Sequence, residues 1–188
     1  MISDKKGIQY LAAIMKAKGI KDLVISPGSR NAPVINTFAS QDWINTYSIV
    51  DERSAAFFAL GLALKTDRIV ALSCTSGTAA LNYAPAVTEA FYQKIPLLIL
   101  TADRPVEMID QADGQTIRQK DLYGKHIRKS IELSQSLHNE EDIWYNNRLI
   151  NEALNASLYP VKGPVHINLP FREPLYDLVD AKLPDAKI

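Results

Sequence analysis

Cysteine, net charge and long apolar runs are what this chain of 188 residues lacks. Its one cysteine, Cys74, has no partner for an intrachain disulfide, which points to a reducing compartment such as the cytoplasm. Lysine plus arginine and aspartate plus glutamate both number 21, so no excess of one sign is available to hold a nucleic acid or an anionic membrane. The same balance gives little colloidal repulsion and suits self-association. The opening MISDKKGIQY has no apolar signal core, and the most apolar stretch, Ile95 to Thr101, is far too short to cross a bilayer. His126, His138 and His166 are widely spaced and fit no metal pattern. Neither GxGxxG nor a P-loop occurs, so no nucleotide-phosphate motif is present, and there is no internal repeat or low-complexity segment.

What is present is an alternation of short β-branched runs with amphipathic stretches. The spacing predicts a helix over 4–18 stopped by Gly19, a strand over 22–26, and a helix beginning near Ala32. Strands follow at 46–50, 69–74 and 96–101, separated by the Ala-rich helix DERSAAFFALGLALK and a helix over 79–92. A long polar segment over 102–119 is unusual inside a compact domain and is a functional candidate. A fifth strand at 128–133, a helix at 140–158 and a sixth strand at 164–169 complete the pattern. Strands apolar on both faces that alternate with helices predict a three-layer α/β/α fold around a six-stranded parallel sheet. Cys74, Trp43 and Trp144 are assigned to packing.

Ligands of such folds gather beyond the carboxyl ends of the strands. Four loops directly follow predicted strands there. Ser26-Pro27-Gly28-Ser29-Arg30 offers backbone N–H groups and a guanidinium fork suited to a carboxylate or phosphate, or is an ordinary βα turn with a solvated arginine. Glu52, where a strand hands over to a helix, is either a carboxylate for a ligand nitrogen or an acid facing the helix dipole. Thr75-Ser76-Gly77-Thr78 is an anion cradle or a helix cap around a tight turn. Asp103-Arg104-Pro105, with Gln115 further along, holds a polar acidic substrate or is a surface ion pair beside a mobile loop.

Taken together, VISPGSRNAPV, VDERSAAFFALGLALK, ALSCTSGTAALNYAPAVTEA, PLLILTADRP, GQTIRQ and GPVHINLPFREPLY resemble, in order and spacing, the 2-succinyl-5-enolpyruvyl-6-hydroxy-3-cyclohexene-1-carboxylate synthases. These are thiamine-diphosphate enzymes of menaquinone biosynthesis, called the cyclohexene-carboxylate synthases below. The resemblance covers nearly the whole chain and departs from the family at Asp113-Gly114, where many members carry Ala-Asn. It implies a thiamine-diphosphate pyrimidine-binding domain over 1–175 and an exit linker over 176–188 toward a central domain absent from this chain. The GDG motif of the family's magnesium site does not occur, so the diphosphate and Mg2+ are expected on a further, also absent domain, and the chain alone is expected to be inactive. In the family the glutamate matching Glu52 hydrogen-bonds N1′ of the aminopyrimidine, and 2-oxoglutarate is decarboxylated before its four-carbon unit joins isochorismate. The resemblance thus assigns Glu52 to catalysis and cofactor, Thr75, Ser76, Gly77 and Thr78 to the cofactor, and Ser29, Arg30, Arg104 and Gln115 to substrates. It also implies a cytoplasmic homo-oligomer, dimer or tetramer, whose sites lie between subunits. Two alternatives are the pyrimidine domain of another thiamine-diphosphate 2-oxoacid enzyme and a non-catalytic α/β dimerisation module.

Overall fold

A computed structural model describes residues 1–186 and 188. Six strands form one parallel sheet: β2 (Asp22–Ile25), β3 (Asn45–Ser48), β4 (Val70–Cys74), β5 (Leu97–Asp103), β6 (Lys129–Glu132) and β7 (Val165–Pro170). All pairings are parallel, as the apolar runs predicted for a sheet covered on both faces, and the spatial order is β3-β2-β4-β5-β7-β6.

Side-chain alternation divides the core into two layers. Leu23, Ile25, Leu98, Leu100, Val165 and Ile167 point to one face, where they meet α1 (Lys6–Ala17), α2 (Ala32–Phe38) and α6 (Glu140–Ala156). Val24, Val70, Leu72, Cys74, Leu97 and Ile99 point to the other, against α3 (Glu52–Thr66) and α5 (Ala84–Gln93). The inward positions of α3 are Ala55, Ala56, Ala59 and Ala63, small enough for the helix to lie close on β4. Cys74 is wholly buried in this layer, and burial pushes its thiol pKa up, so it is an inert core residue.

Three details differ from the sequence expectation. The helix predicted over 79–92 is two, α4 (Thr78–Leu81) and α5. Pro85 has no N–H for the carbonyl of Leu81 and its ring crowds that carbonyl, so the helix breaks and restarts. The polar segment begins later than 102, because Ala102 and Asp103 are buried as the last residues of β5. Trp43 packs edge-on against Phe38 at 6.1 Å, but Trp144 is 56% exposed, with Arg148 over its ring. The stretch 176–188 contains a two-residue strand, β8 (Leu178–Val179), paired antiparallel with β1 (Ile2–Ser3); Lys187 lies outside the described residues. Among the described residues no helix is long and apolar enough to cross a membrane.

β2 is followed on one side by β3 and has β4 on its other side. The chain therefore leaves the carboxyl ends of β2 and β4 in diverging directions. A crevice opens at such a switch of strand order without any special sequence.

Candidate functional site

The crevice is an open cleft of about 400 Å3. Pro27, Gly28 and Ser29 come from the β2 loop, Glu52 from the start of α3, Thr75, Thr78, Ala79 and Asn82 from the turn after β4, and Gln115 from the long loop. The fold thus brings together residues from all four of the loops or segments singled out in the sequence.

Two glycines set how closely these walls approach. A methyl group added at Gly28 would sit 2.4 Å from Thr75 Cβ, so the β2 and β4 loops touch only because Gly28 has no side chain. Gly77 has φ +83°, and a methyl group there would lie 2.9 Å from the carbonyl oxygen of Gln115. Gln115 itself has φ +54°. Asn31, wholly buried, braces the β2 loop: its Nδ2 donates to the Ser26 carbonyl at 3.0 Å and to Ser73 Oγ at 3.2 Å.

Glu52 is half-buried and opens α3. The capping of that helix falls to its neighbour, for Asp51 Oδ1 accepts from the Ser54 N–H at 2.7 Å. The Glu52 carboxylate makes no hydrogen bond or ion pair with any described residue and faces the cleft with its acceptor capacity unspent. Ser76 is 2% exposed and does not line the cleft; Gly77 is buried at the bend of the turn.

Arg30 and Arg104 do come together, but in a neighbouring cleft of about 270 Å3 that they share with Met108, Asp113, Arg172 and Glu173. Arg30 is not solvated: it is 5% exposed, its Nη1 donates to the Phe171 carbonyl at 3.0 Å, and its Nη2 meets Glu173 Oε1 at 3.2 Å. Arg104 donates from Nη2 to the Gly114 carbonyl at 2.9 Å, and its Nε lies 3.2 Å from Asp113 Oδ2. The surface pair between Asp103 and Arg104 does not form. Asp103 is 3% exposed and its Oδ1 accepts from the Arg104 backbone N–H at 2.7 Å.

A buried polar network under these loops escaped the sequence reading. Asn168 Nδ2 donates to Asp103 Oδ2 at 2.8 Å and to Glu132 Oε2 at 2.9 Å. Its Oδ1 accepts from Thr101 Oγ1 at 2.8 Å and from Gln119 Nε2 at 3.0 Å. Since the Thr101 hydroxyl donates to Asn168, its oxygen accepts from His166 Nε2–H at 2.7 Å, and His166 Nδ1 meets Ser130 Oγ at 3.1 Å. Burial holds the His166 pKa down to about 3, so the ring is neutral. Burial, reinforced by the charge of Glu132, lifts the Asp103 pKa to about 6, against the opposing hydrogen bonds from Asn168 and Arg104. The only sequence signal was polar residues inside an apolar strand, the His and Asn of HIN, which β-sheet periodicity alone does not pair with anything.

The family model described as "Thiamine pyrophosphate enzyme, N-terminal TPP binding domain" matches residues 5–122, which include Glu52 and every cleft-lining residue. Among curated relatives, a 2-succinyl-5-enolpyruvyl-6-hydroxy-3-cyclohexene-1-carboxylate synthase of Phocaeicola vulgatus is 48% identical over 188 residues, covering 100% of this chain and 34% of that protein. Proteins of the same name are 54% identical in Porphyromonas gingivalis, over 93% of this chain and 30% of theirs, and 53% identical in Christiangramia forsetii, over 90% and 32%. The chain spans about a third of the length of the curated relatives it matches. A free carboxylate at the switch point of a parallel sheet, on a stretch that the family model covers from end to end, places the chain in the family of N-terminal TPP-binding domains of thiamine pyrophosphate enzymes.

Proposed function

We propose that the switch-point cleft holds the aminopyrimidine of thiamine diphosphate, in a protein that acts as a cyclohexene-carboxylate synthase. The observation that carries this reading is Glu52: a half-buried carboxylate, relieved of capping by Asp51, with no partner among the described residues. The rest of the lining is Pro, Gly, Ala, Ser, Thr, Asn and Gln. One carboxylate and no cation suit a neutral ring with N–H groups and do not suit a diphosphate. The diphosphate and Mg2+ are accordingly assigned to other parts of the relatives' length.

When bound, the cofactor supplies the electron sink for cleaving the carbon–carbon bond beside a ketone. Glu52 would hold or release a proton at a pyrimidine nitrogen of the bound ring. Thr75, Thr78 and the close Gly28–Thr75 contact present a wall for the ring, with Ser76 and Gly77 shaping the turn behind it. Arg30 and Arg104, in the neighbouring cleft, supply charge-assisted hydrogen bonds for the carboxylates of 2-oxoglutarate and isochorismate, and Ser29 and Gln115, which line the switch-point cleft, add polar contacts. Binding of these dianions requires displacing Glu173 and Asp113, which hold the guanidiniums here. Phe57, Phe58 and Leu64 of α3 and Leu81 of α4 are exposed apolar side chains on elements that flank the cleft, which supports a homo-oligomer with sites between subunits. A cytoplasmic location belongs to the same reading.

The test is Glu52→Gln in the full-length protein. The amide keeps the shape and cannot carry the proton, so hydrogen–deuterium exchange at C2 of bound thiamine diphosphate is expected to slow by roughly 10²–10⁴-fold, with the cofactor still bound. Exchange as fast as in the unmodified protein, at full occupancy, would remove Glu52 from the chemistry.

A further inference from the structure

Gln119 belongs to none of the loops' expected ligand sets, yet it is 1% exposed and ties one wall of the cleft to two strand ends of the sheet. Its Oε1 accepts from the Gly77 N–H at 2.8 Å. Its Nε2 donates to the Ala102 carbonyl at 3.1 Å and to Asn168 Oδ1 at 3.0 Å. The first bond reaches the turn after β4, and the other two reach the carboxyl ends of β5 and β7. Four residues before it, Gln115 lies with its backbone against Gly77.

Gly77 occupies a backbone region that is essentially glycine's alone, with φ +83° and ψ −148°. Glycine reaches this region without steric cost but also moves freely out of it, so the turn keeps one shape only where its surroundings hold it. The N–H at the start of α4 has no local Ser, Thr or Asp cap; it is bound instead from 42 residues away. We propose that Gln119 is a positioning residue of the pyrimidine site, fixing the Thr75–Thr78 wall and the Gln115 backbone relative to the sheet and so the width of the cleft in front of Glu52. This inference rests on reading the cleft as the pyrimidine site.

Only an amide meets the three bonds, because it must accept at one atom and donate twice at the other. A carboxylate at 119 still accepts from Gly77 but turns a lone pair toward the Ala102 carbonyl and Asn168 Oδ1. A methionine fills the volume and makes none of the three bonds.

The experiment compares Gln119→Met and Gln119→Glu with the unmodified protein in two ways. In this chain, Gly77 amide exchange is followed by NMR; in Gln119→Met it is expected to accelerate about tenfold or more, the scale of one buried hydrogen bond. In the full-length protein, thiamine diphosphate binding is compared with inhibition by inorganic diphosphate, which probes only the half of the cofactor site that this cleft does not supply. Gln119→Met is expected to weaken thiamine diphosphate about tenfold and leave inorganic diphosphate unchanged. Gln119→Glu is expected to behave like Gln119→Met at neutral pH and to recover in part at acidic pH, where a protonated carboxyl donates one of the two bonds. Unchanged Gly77 exchange overturns the clamp, and equal weakening of both ligands overturns positioning in favour of general destabilisation. If Glu52→Gln impairs the cofactor chemistry while Gln119→Met leaves binding intact, the Gln119 inference fails alone; if neither variant has an effect, the pyrimidine reading itself fails.

Discussion

The buried pair of His166 and Asp103 makes a prediction that can be worked through with its signs. His166 is wholly buried, with a pKa held down to about 3 against an ordinary value of 6.5. Below pH 6.5 the unfolded chain takes up a proton that the folded ring refuses. Stability from this group is therefore present above pH 6.5 and lost as pH falls toward 3, by about 1.4 kcal/mol per pH unit, or about 2 kcal/mol by pH 5. Asp103 acts in the opposite direction. Its pKa is raised to about 6 against an ordinary 3.8, so the folded state binds a proton first and gains stability as pH falls from 6 toward 3.8. A cavity of about 360 Å3 lies against Asp103 and Glu132 and admits some water. Discounted for that hydration, the gain at pH 5 is about 1 kcal/mol.

The two effects partly offset each other in the unmodified protein and separate in variants. Urea unfolding at pH 7 and pH 5 reads the difference. Relative to the unmodified chain, the change in stability from pH 7 to pH 5 is expected to be more favourable by about 2 kcal/mol in His166→Gln and less favourable by about 1 kcal/mol in Asp103→Asn. Each variant serves as its own reference, so its lost hydrogen bonds drop out of the comparison, as do the exposed carboxylates common to all three. NMR adds an independent check: the His166 ring protons should not titrate between pH 8 and pH 4.5. A pH dependence of His166→Gln that matches the unmodified chain within about 0.5 kcal/mol would refute the buried neutral ring.

Gly77→Ala is expected to cost about 2–3 kcal/mol in urea unfolding, from the glycine-only backbone region and the crowding of Gln115, and a loss below about 1 kcal/mol would contradict that geometry. Arg30→Ala is expected to cost about 2 kcal/mol because it strips a buried charge from the Phe171 carbonyl and Glu173, whereas Arg104→Ala, whose partners are groups of the loop, costs less than about 1 kcal/mol. Equal losses on thermal or urea unfolding would show that the two arginines are held alike.

Much of the fold was written locally. Leu97 to Ala102 is apolar at every position but Thr101, which implies a strand covered on both faces, and the helical stretches between such strands require parallel crossovers. The loops at the carboxyl ends, with Ser29, Glu52, Thr75, Thr78 and Gln115, were legible for the same reason: in this class of sheet only one edge collects ligands. The break before Pro85 was not read, because the apolar period ran straight through a residue without an N–H.

Tertiary structure decided which of those loops meet. Hydrophobic period reports how often a segment is buried and carries nothing about which segment lies beside it. β5 pairs with β7 and leaves β6 at the edge, and that order alone brings Thr101 and Asp103 to His166 and Asn168, 65 residues away along the chain. The same long-range order gives Gln119 its bond to Gly77, separates the two arginines into a cleft of their own, and leaves Glu52 without a partner among the described residues while Asp51, one residue earlier, caps the helix. A hydrogen bond needs its donor and acceptor within about 3 Å, a condition that depends on strand order and loop path, and neither is encoded in the residues that make the bond.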